Sequence, residues 1–435
     1  MKRKIEEKLL AWKEKPKDRK PVILNGARQV GKTYILKEFG RKYFEMVVYV
    51  NLEINNQVRS YFDENLEPKK ILRYLEATQG EKIIPEKSLI ILDEIQSCEK
   101  ALTSLKYFCE EVPEYYVAAA GSLLGVAINR KQYSFPVGKV ETMELFPMDF
   151  EEFLWALGKE FLAFEIREYF QKMAAMPEGL HKEALEFFRY YLIVGGMPAA
   201  VKNYLENESF LDVMPIQNEI VDNYIADNYI ADMAKYASNT DSVKIRACYQ
   251  SIPAQLAKEN KKFQYKVVQK GGTAGIFGVS IEWLNLAGVV LKCQKVDHGF
   301  EPLPVYADLS SFKLYMGDVG ILTMRSSLPH HIILSGEGNT FLGALTENYV
   351  AVQLKANGYD LYYWCSEYSA ELDFVIIKEQ RIYGIEVKKG EHVRSKSLSQ
   401  FVSKYHPYRA VRFSAKNFGD ENGIWSIPLY AVFCL

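Results

Sequence analysis

Residues 21–33 read PVILNGARQVGKT, and this stretch decides the fold of the N-terminal region. Pro21 to Asn25 is an apolar run of strand type that ends at a glycine. Gly26, Ala27, Arg28, Gln29, Val30, Gly31, Lys32 and Thr33 then follow the spacing G-x-x-x-x-G-K-T. The next residues, YILKEFGRKY, carry helical spacing. Such a loop has meaning only between a strand and a helix, and both are present. Its glycines let the backbone curl so that N–H groups point inward at an anion. The first turn of the helix adds unsatisfied donors and the positive end of a dipole. The ligand that suits this chemistry is ATP. Lys32 would contact the β- and γ-phosphates, and the Thr33 hydroxyl would bind magnesium.

Working outward, SLIILDEIQ (residues 88–96) is apolar on consecutive positions, as a strand buried on both faces should be. Asp93 emerges where open α/β sheets bind ligands and would hold the magnesium. Glu94 would orient or deprotonate the attacking water. Three further strands are expected in MVVYVNLE (46–53), YYVAAAGSLL (115–124) and KVETMELFPMDF (139–150). Helices are expected between them. This alternation predicts an α/β fold: a P-loop parallel sheet with helices on both faces. Ser122 ends the fourth strand and suits a polar sensor of the γ-phosphate, although Gly-Ser is also a common strand-ending turn. Lys139 is either a cation acting in trans on a neighbouring protomer's nucleotide or a solvated strand-edge lysine.

The chain of 435 residues is too long for one ordinary core. It is 48% hydrophobic and 25% charged, which is the balance of a globular protein. A net charge of -1 excludes a globally basic nucleic-acid binder but not a local basic surface. The six cysteines are scattered without C-x-x-C spacing, so they read as buried apolar residues and not as zinc ligands or disulfides. MKRKIEEKLLAWKEK lacks the apolar core of a signal peptide, and the run from Tyr116 to Ile128 is too short to span a bilayer. A cytoplasmic protein with no membrane partner is expected.

GARQVGKT, YVNLE, LIILDEIQ, AAGSLL and ELFPMDFEEF together resemble the AAA-type ATPase core of a large bacterial and archaeal family. In that family the core precedes a poorly characterised domain of unknown function. YLIVGGMPAAV, SFKLYMGDVGIL, GALTENYVAVQL, ELDFVI and EVKKG resemble signs of that domain. The resemblance implies ATP and magnesium as cofactors and covers almost the whole chain. Similar proteins usually have Gly-Arg where this sequence has Gly138-Lys139, and lysine lacks arginine's planar fork. This position therefore departs from the arginine-finger pattern of the similar proteins.

Residues 151–237 carry helical periodicity and contain a tandem repeat, DNYIA at 222–226 and again at 227–231. Five extra residues turn a helix by about 140°. The plain reading is a tolerated duplication. Residues 238–302 read as three helices and a hairpin, a winged-helix pattern. Lys258, Lys261, Lys262, Lys266 and Lys270 would meet phosphates there, or form an ordinary solvated face.

Residues 303–435 form a further α/β unit. Glu347 lies on a helix, Asp373 in ELDFVI, and Glu386 and Lys388 in an E-V-K strand. This set resembles the PD-(D/E)xK nuclease core. Asp373 and Glu386 would hold a magnesium ion, and Lys388 would position water or stabilise the transition state. Alternation puts Glu386 and Lys388 on one face. An alternating polar sheet face gives the same pattern without cleavage, and fold alone does not license activity.

The expected organisation is therefore a P-loop ATPase domain over 1–150, a helical region over 151–237, a winged-helix-like region over 238–302 and a nuclease-like domain over 303–435. Two functional readings follow. One is a magnesium-dependent ATPase acting on DNA. The other is a nucleotide-gated protein-interaction module with an inactive nuclease-like domain. Homo-oligomerisation is compatible with both.

Overall fold

The computed structural model describes residues 1–15, 17–122, 135–225, 239–336, 339–366, 370–390 and 396–435. The second DNYIA copy lies outside the described residues, while the first runs into the end of helix Phe210–Ile225. Two compact units form. One comprises Lys2–Phe146 with Leu286–Gly288, and the other Pro147–Asn285 with Val289–Leu435.

In the first unit all five expected strands are present: β1 (Val22–Asn25), β2 (Met46–Asn51), β3 (Ser88–Asp93), β4 (Tyr116–Gly121) and β5 (Glu141–Glu144). They form one parallel sheet in the order β2-β3-β4-β1-β5. β3 and β4 are buried at every position, which explains their unbroken apolar character. Helix Lys32–Tyr43 follows β1 and turns Ile35, Leu36 and Phe39 inward. Helices Pro68–Gln79 and Glu99–Glu111 bury Ile71, Leu75, Leu102 and Leu105 in a single core with Ile90 and Leu92 of β3. β5 is shorter than the expected 139–150 stretch. Pro147 has no N–H to extend a ladder, and Asp149 caps helix Phe150–Ala156 in a full capping box with Glu152.

The second unit opens with helices, including Glu178–Val194 and Pro198–Asn207. Between them the GGMP turn is held by one buried carboxylate. Asp318 Oδ2 accepts from the Gly196 N–H at 2.7 Å, and its Oδ1 caps helix Val319–Ser326 by accepting from Ile321 at 3.0 Å. A Cβ on Gly195 would fall 2.2 Å from Asp318, and one on Gly196 would fall 2.0 Å from the Met148 carbonyl. The segments LIVGGMP and YMGDVGI thus dock into one another, and Gly195 and Gly320 admit the close approach.

An eight-stranded sheet follows, in the order β12-β13-β11-β10-β9-β8-β6-β7. Its strands are β6 (Val290–Val296), β7 (Ala307–Met316), β8 (Tyr362–Cys365), β9 (Glu371–Lys378), β10 (Arg381–Val387), β11 (Arg409–Ser414), β12 (Gly419–Glu421) and β13 (Ile424–Pro428). Helices Asn239–Leu256, Tyr265–Val268 and Ala274–Leu286 precede the antiparallel hairpin β6–β7. The Phe263 N–H also donates to the Phe312 carbonyl of β7 at 2.8 Å. β6 pairs with β7 on one side and β8 on the other, so the expected division at 302/303 runs through a continuous sheet. The last stretch, IPLYAVFCL, is apolar enough to read as a strand. Only its start belongs to β13. Leu429–Cys434 is a 3-10 helix whose side chains from Leu429 to Phe433 are buried, which a one-faced strand would not achieve.

Candidate functional site

β1 delivers the chain to Gly26, whose φ of 149° is open to glycine and little else. A Cβ there would lie 2.2 Å from the Leu145 carbonyl just beyond β5. Gln29 (φ 63°) and Gly31 (φ 96°) are also left-handed. Alternating handedness of this kind turns successive N–H groups toward a common point. Lys32 opens the helix and is only 8% exposed. Its Nζ donates to the carbonyls of Gly26 at 2.9 Å and Ala27 at 2.7 Å. Burial lowers its pKa to about 8, against the opposing pull of Glu94 and Asp93. A buried ammonium held by neutral carbonyl oxygens is a group suited to an anion.

β3 brings Asp93 to the same edge of the sheet. Asp93 is 4% exposed, and its Oδ2 accepts from the Thr33 hydroxyl at 2.8 Å and the Tyr49 hydroxyl at 2.9 Å. Tyr49 comes from β2, two residues before the Asn51–Asp93 pair in the register. Burial and then the Asp93 charge push the Tyr49 phenol up to about 12, so it stays a donor. Glu94 is left-handed at φ 50°, ψ 46°, a strained backbone for a non-glycine residue. Its Oε2 accepts from Gln96 Nε2 at 2.5 Å. Burial raises the Glu94 pKa, with the Gln96 hydrogen bond opposing. A raised pKa makes this carboxylate a stronger base. Ser122 is buried at the end of β4, whose Gly121 pairs with Asn25 of β1. Lys139 forms an exposed ion pair with Glu110 at 2.9 Å.

Sequence reasoning assigned no role to Tyr49 or Arg3. Arg3 is buried, and its guanidinium donates to the Val30 carbonyl of the loop at 3.0 Å and to the Phe146 carbonyl at 2.6 Å. Its charge near the N-terminus was visible in the sequence, but nothing local signalled burial. Tyr49 lies in a strand that was legible, and only the sheet order places it beside Asp93.

In the second unit two contacts join the four expected residues, and Asp373 also reaches the β10 backbone at Val387, between Glu386 and Lys388. Glu347, on helix Phe341–Ala356, and Asp373, on β9, interact electrostatically. Burial and then the Glu347 charge raise the Asp373 pKa to about 7, and its Oδ2 accepts from the Val387 N–H at 2.7 Å. Glu386 and Lys388 are joined at 3.3 Å, so the two do share a face. Gly384, two residues earlier in β10, points a Cβ position at Phe401, and alternation places Glu386 on that side. Among the described residues no three His, Cys, Asp or Glu side chains are grouped to hold a metal ion. Of the middle lysines, Lys261 pairs with Glu347, and Lys258 donates to Gln264 at 3.2 Å.

No described helix is long and apolar enough to cross a membrane. Residues 185–331 match a domain of unknown function (DUF8612), and residues 342–432 match another (DUF4143). No curated protein matches the chain. Among solved structures, a Walker-type ATPase of Pyrococcus abyssi is 15% identical over 74% of this chain and 95% of that one, with a TM-score of 0.44. The ORC2 protein of Aeropyrum pernix is 14% identical over 81% and 92%, with a TM-score of 0.33. The RuvB branch migration motor of Thermotoga maritima is 14% identical over 67% and 89%, with a TM-score of 0.31. Whole-chain likeness at these scores transfers no function. Residues 18–154, however, match the AAA domain family, and the N-terminal unit, with its five-stranded parallel sheet and glycine loop, carries a P-loop fold of the AAA type.

Proposed function

We propose that the chain binds ATP with magnesium at the first unit and hydrolyses it. The observation that carries this reading is the meeting of Thr33 and Asp93 at 2.8 Å beside the buried Lys32 ammonium. Two hard oxygen donors side by side fit magnesium, and a cation held only by carbonyls fits a triphosphate. Thr33 and Asp93 would hold the metal, which when bound neutralises charge on the transferred phosphoryl group. Lys32 exchanges its two carbonyl partners for phosphate oxygens. The loop N–H groups orient the phosphates, and Ser122, buried at the end of β4, would sense the γ-phosphate. Glu94, kept basic by burial, takes a proton from the attacking water onto its carboxylate. Gln96 holds that carboxylate in place. Glu94→Gln should therefore retain ATP binding and slow turnover by about 100-fold or more. Turnover at the wild-type rate in that variant would move the base elsewhere.

For the second unit there are two readings. The order helix, β8, β9, β10, helix, β11, with β8–β10 antiparallel and β11 parallel to β10, supports a PD-(D/E)xK-like architecture. The three helices and hairpin before it support the winged-helix reading. DNA action would require free cations on these elements. Two of the five candidate lysines have internal partners, and the third helix exposes Ile276, Val279 and Glu282 instead of basic residues. The third helix favours the nucleotide-gated interaction module, and the exposed Lys262, Lys266 and Lys270 are the cations on which the DNA-acting reading rests. A DNA-binding titration across a salt series separates them. Binding that weakens steeply with salt would restore the DNA reading.

A further inference from the structure

The carboxylates of the nuclease-like sheet already have a cation. Lys313, on β7, has no exposed side-chain surface. Its ammonium lies 3.0 Å from Glu347 Oε1 and 2.5 Å from Glu371 Oε1, with the Tyr363 ring centroid 4.9 Å away. The other Glu347 oxygen pairs with Lys261, and the Tyr315 hydroxyl donates to Oε1 at 2.5 Å. A carboxylate offers about four lone-pair sites, and Glu347 gives three of them to these donors.

We propose that the buried Lys313 ammonium, helped by Lys261, stands permanently where a divalent metal would bind, so that this sheet is a metal-free binding module and not a nuclease. The inference deepens the interaction-module reading and does not depend on the ATPase site. A metal at Glu347 would have to displace two ammonium groups and strip the fully buried Lys313 of one of its two counter-charges, which is unfavourable. Magnesium, which sheds water reluctantly, is poorly suited to force that exchange. Lys313 cannot itself serve as the catalytic lysine, because a group with no exposed surface cannot touch a phosphodiester. Glu386 Oε2 is a buried acceptor without a hydrogen-bond partner among the described residues. Its expected partner for a metal is Asp373, which gives Oδ2 to the Val387 N–H and already feels the Lys313 charge, so the two carboxylates do not form an open site.

The test is Mn²⁺ binding to the full chain without nucleotide, followed by electron paramagnetic resonance, with plasmid nicking and ATP turnover measured in parallel. Wild type is expected to bind no Mn²⁺ at Asp373 and to nick no DNA. Lys313→Met frees oxygens of Glu347 and Glu371, and is expected to bind Mn²⁺ at least ten-fold more tightly than wild type. Mn²⁺ binding or nicking by wild type that Asp373→Asn abolishes would overturn the proposal. So would a folded Lys313→Met variant with no gain. If that variant does not fold, the wild-type and Asp373→Asn measurements still decide. Normal ATP turnover alongside either outcome separates this result from the fate of the ATPase reading.

Discussion

The Thr33 hydroxyl donates to Asp93 Oδ2 at 2.8 Å, joining two residues 60 positions apart in the chain. The parallel order β3-β4-β1 makes this possible, because both loops leave the same edge with one strand between them. Sheet topology thus turns two separate sequence signals into one chemical site.

Tyr49 shares that same Asp93 oxygen. A hydroxyl that fixes a metal-holding carboxylate acts on affinity for the metal more than on the chemical step. Tyr49→Phe should raise the magnesium concentration for half-maximal ATP turnover by about ten-fold or more, with little change in kcat at saturating magnesium. An unchanged magnesium dependence would show that Thr33 and the β3 backbone orient Asp93 without help.

The pH dependence of ATP binding follows from Lys32. With a pKa lowered to about 8, chiefly by burial, the unliganded lysine is protonated below that pH and loses its charge above it. Phosphate binds the ammonium form, so a proton must be taken up on binding at higher pH. The dissociation constant for ATP should be level below pH 8 and rise by up to about ten-fold per pH unit above it. A level profile to pH 9.5, on the order of 1.5 units beyond this pKa, would show that the lysine charge is not what holds the nucleotide.

Asp318 sets a pH dependence of stability in the second unit. Burial raises its pKa to about 6 from an ordinary 3.8, against the pull of backbone N–H donors led by Gly196. The folded value lies above the unfolded one. Its contribution is therefore complete below about pH 4 and is lost as pH rises through 6. The size is on the order of 3 kcal/mol. Urea unfolding between pH 4 and 7 should show this decline in wild type and lose it in Asp318→Asn. The same slope in both proteins would assign it to other groups.

The P-loop unit was legible because its signals are local. Consecutive apolar residues mark β3, glycines at 26 and 31 mark the loop, and acids follow the strand at once. What could not be read depends on partners far along the chain. Lys313 sits in SFKLYM as an ordinary strand lysine, and only a partner 34 positions away shows that it is buried and paired. Lys261 reads in sequence as a phosphate-binding cation or a solvated lysine, and its carboxylate partner lies 86 positions away. Arg3 reaches Phe146 across 143 positions. Continuity of the sheet from β6 to β8 was equally hidden, since strand pairing between separate segments leaves no periodic trace.

Isothermal calorimetry of ATP with magnesium on wild type and Lys32→Ala reads out whether this loop holds the nucleotide. Wild type should show saturable, single-site binding, and affinity should fall by at least about 100-fold when the buried charge is removed, as expected for a charge-assisted contact in a desolvated site. Equal affinity in the two proteins would contradict this expectation, because the nucleotide would then not be held by this loop.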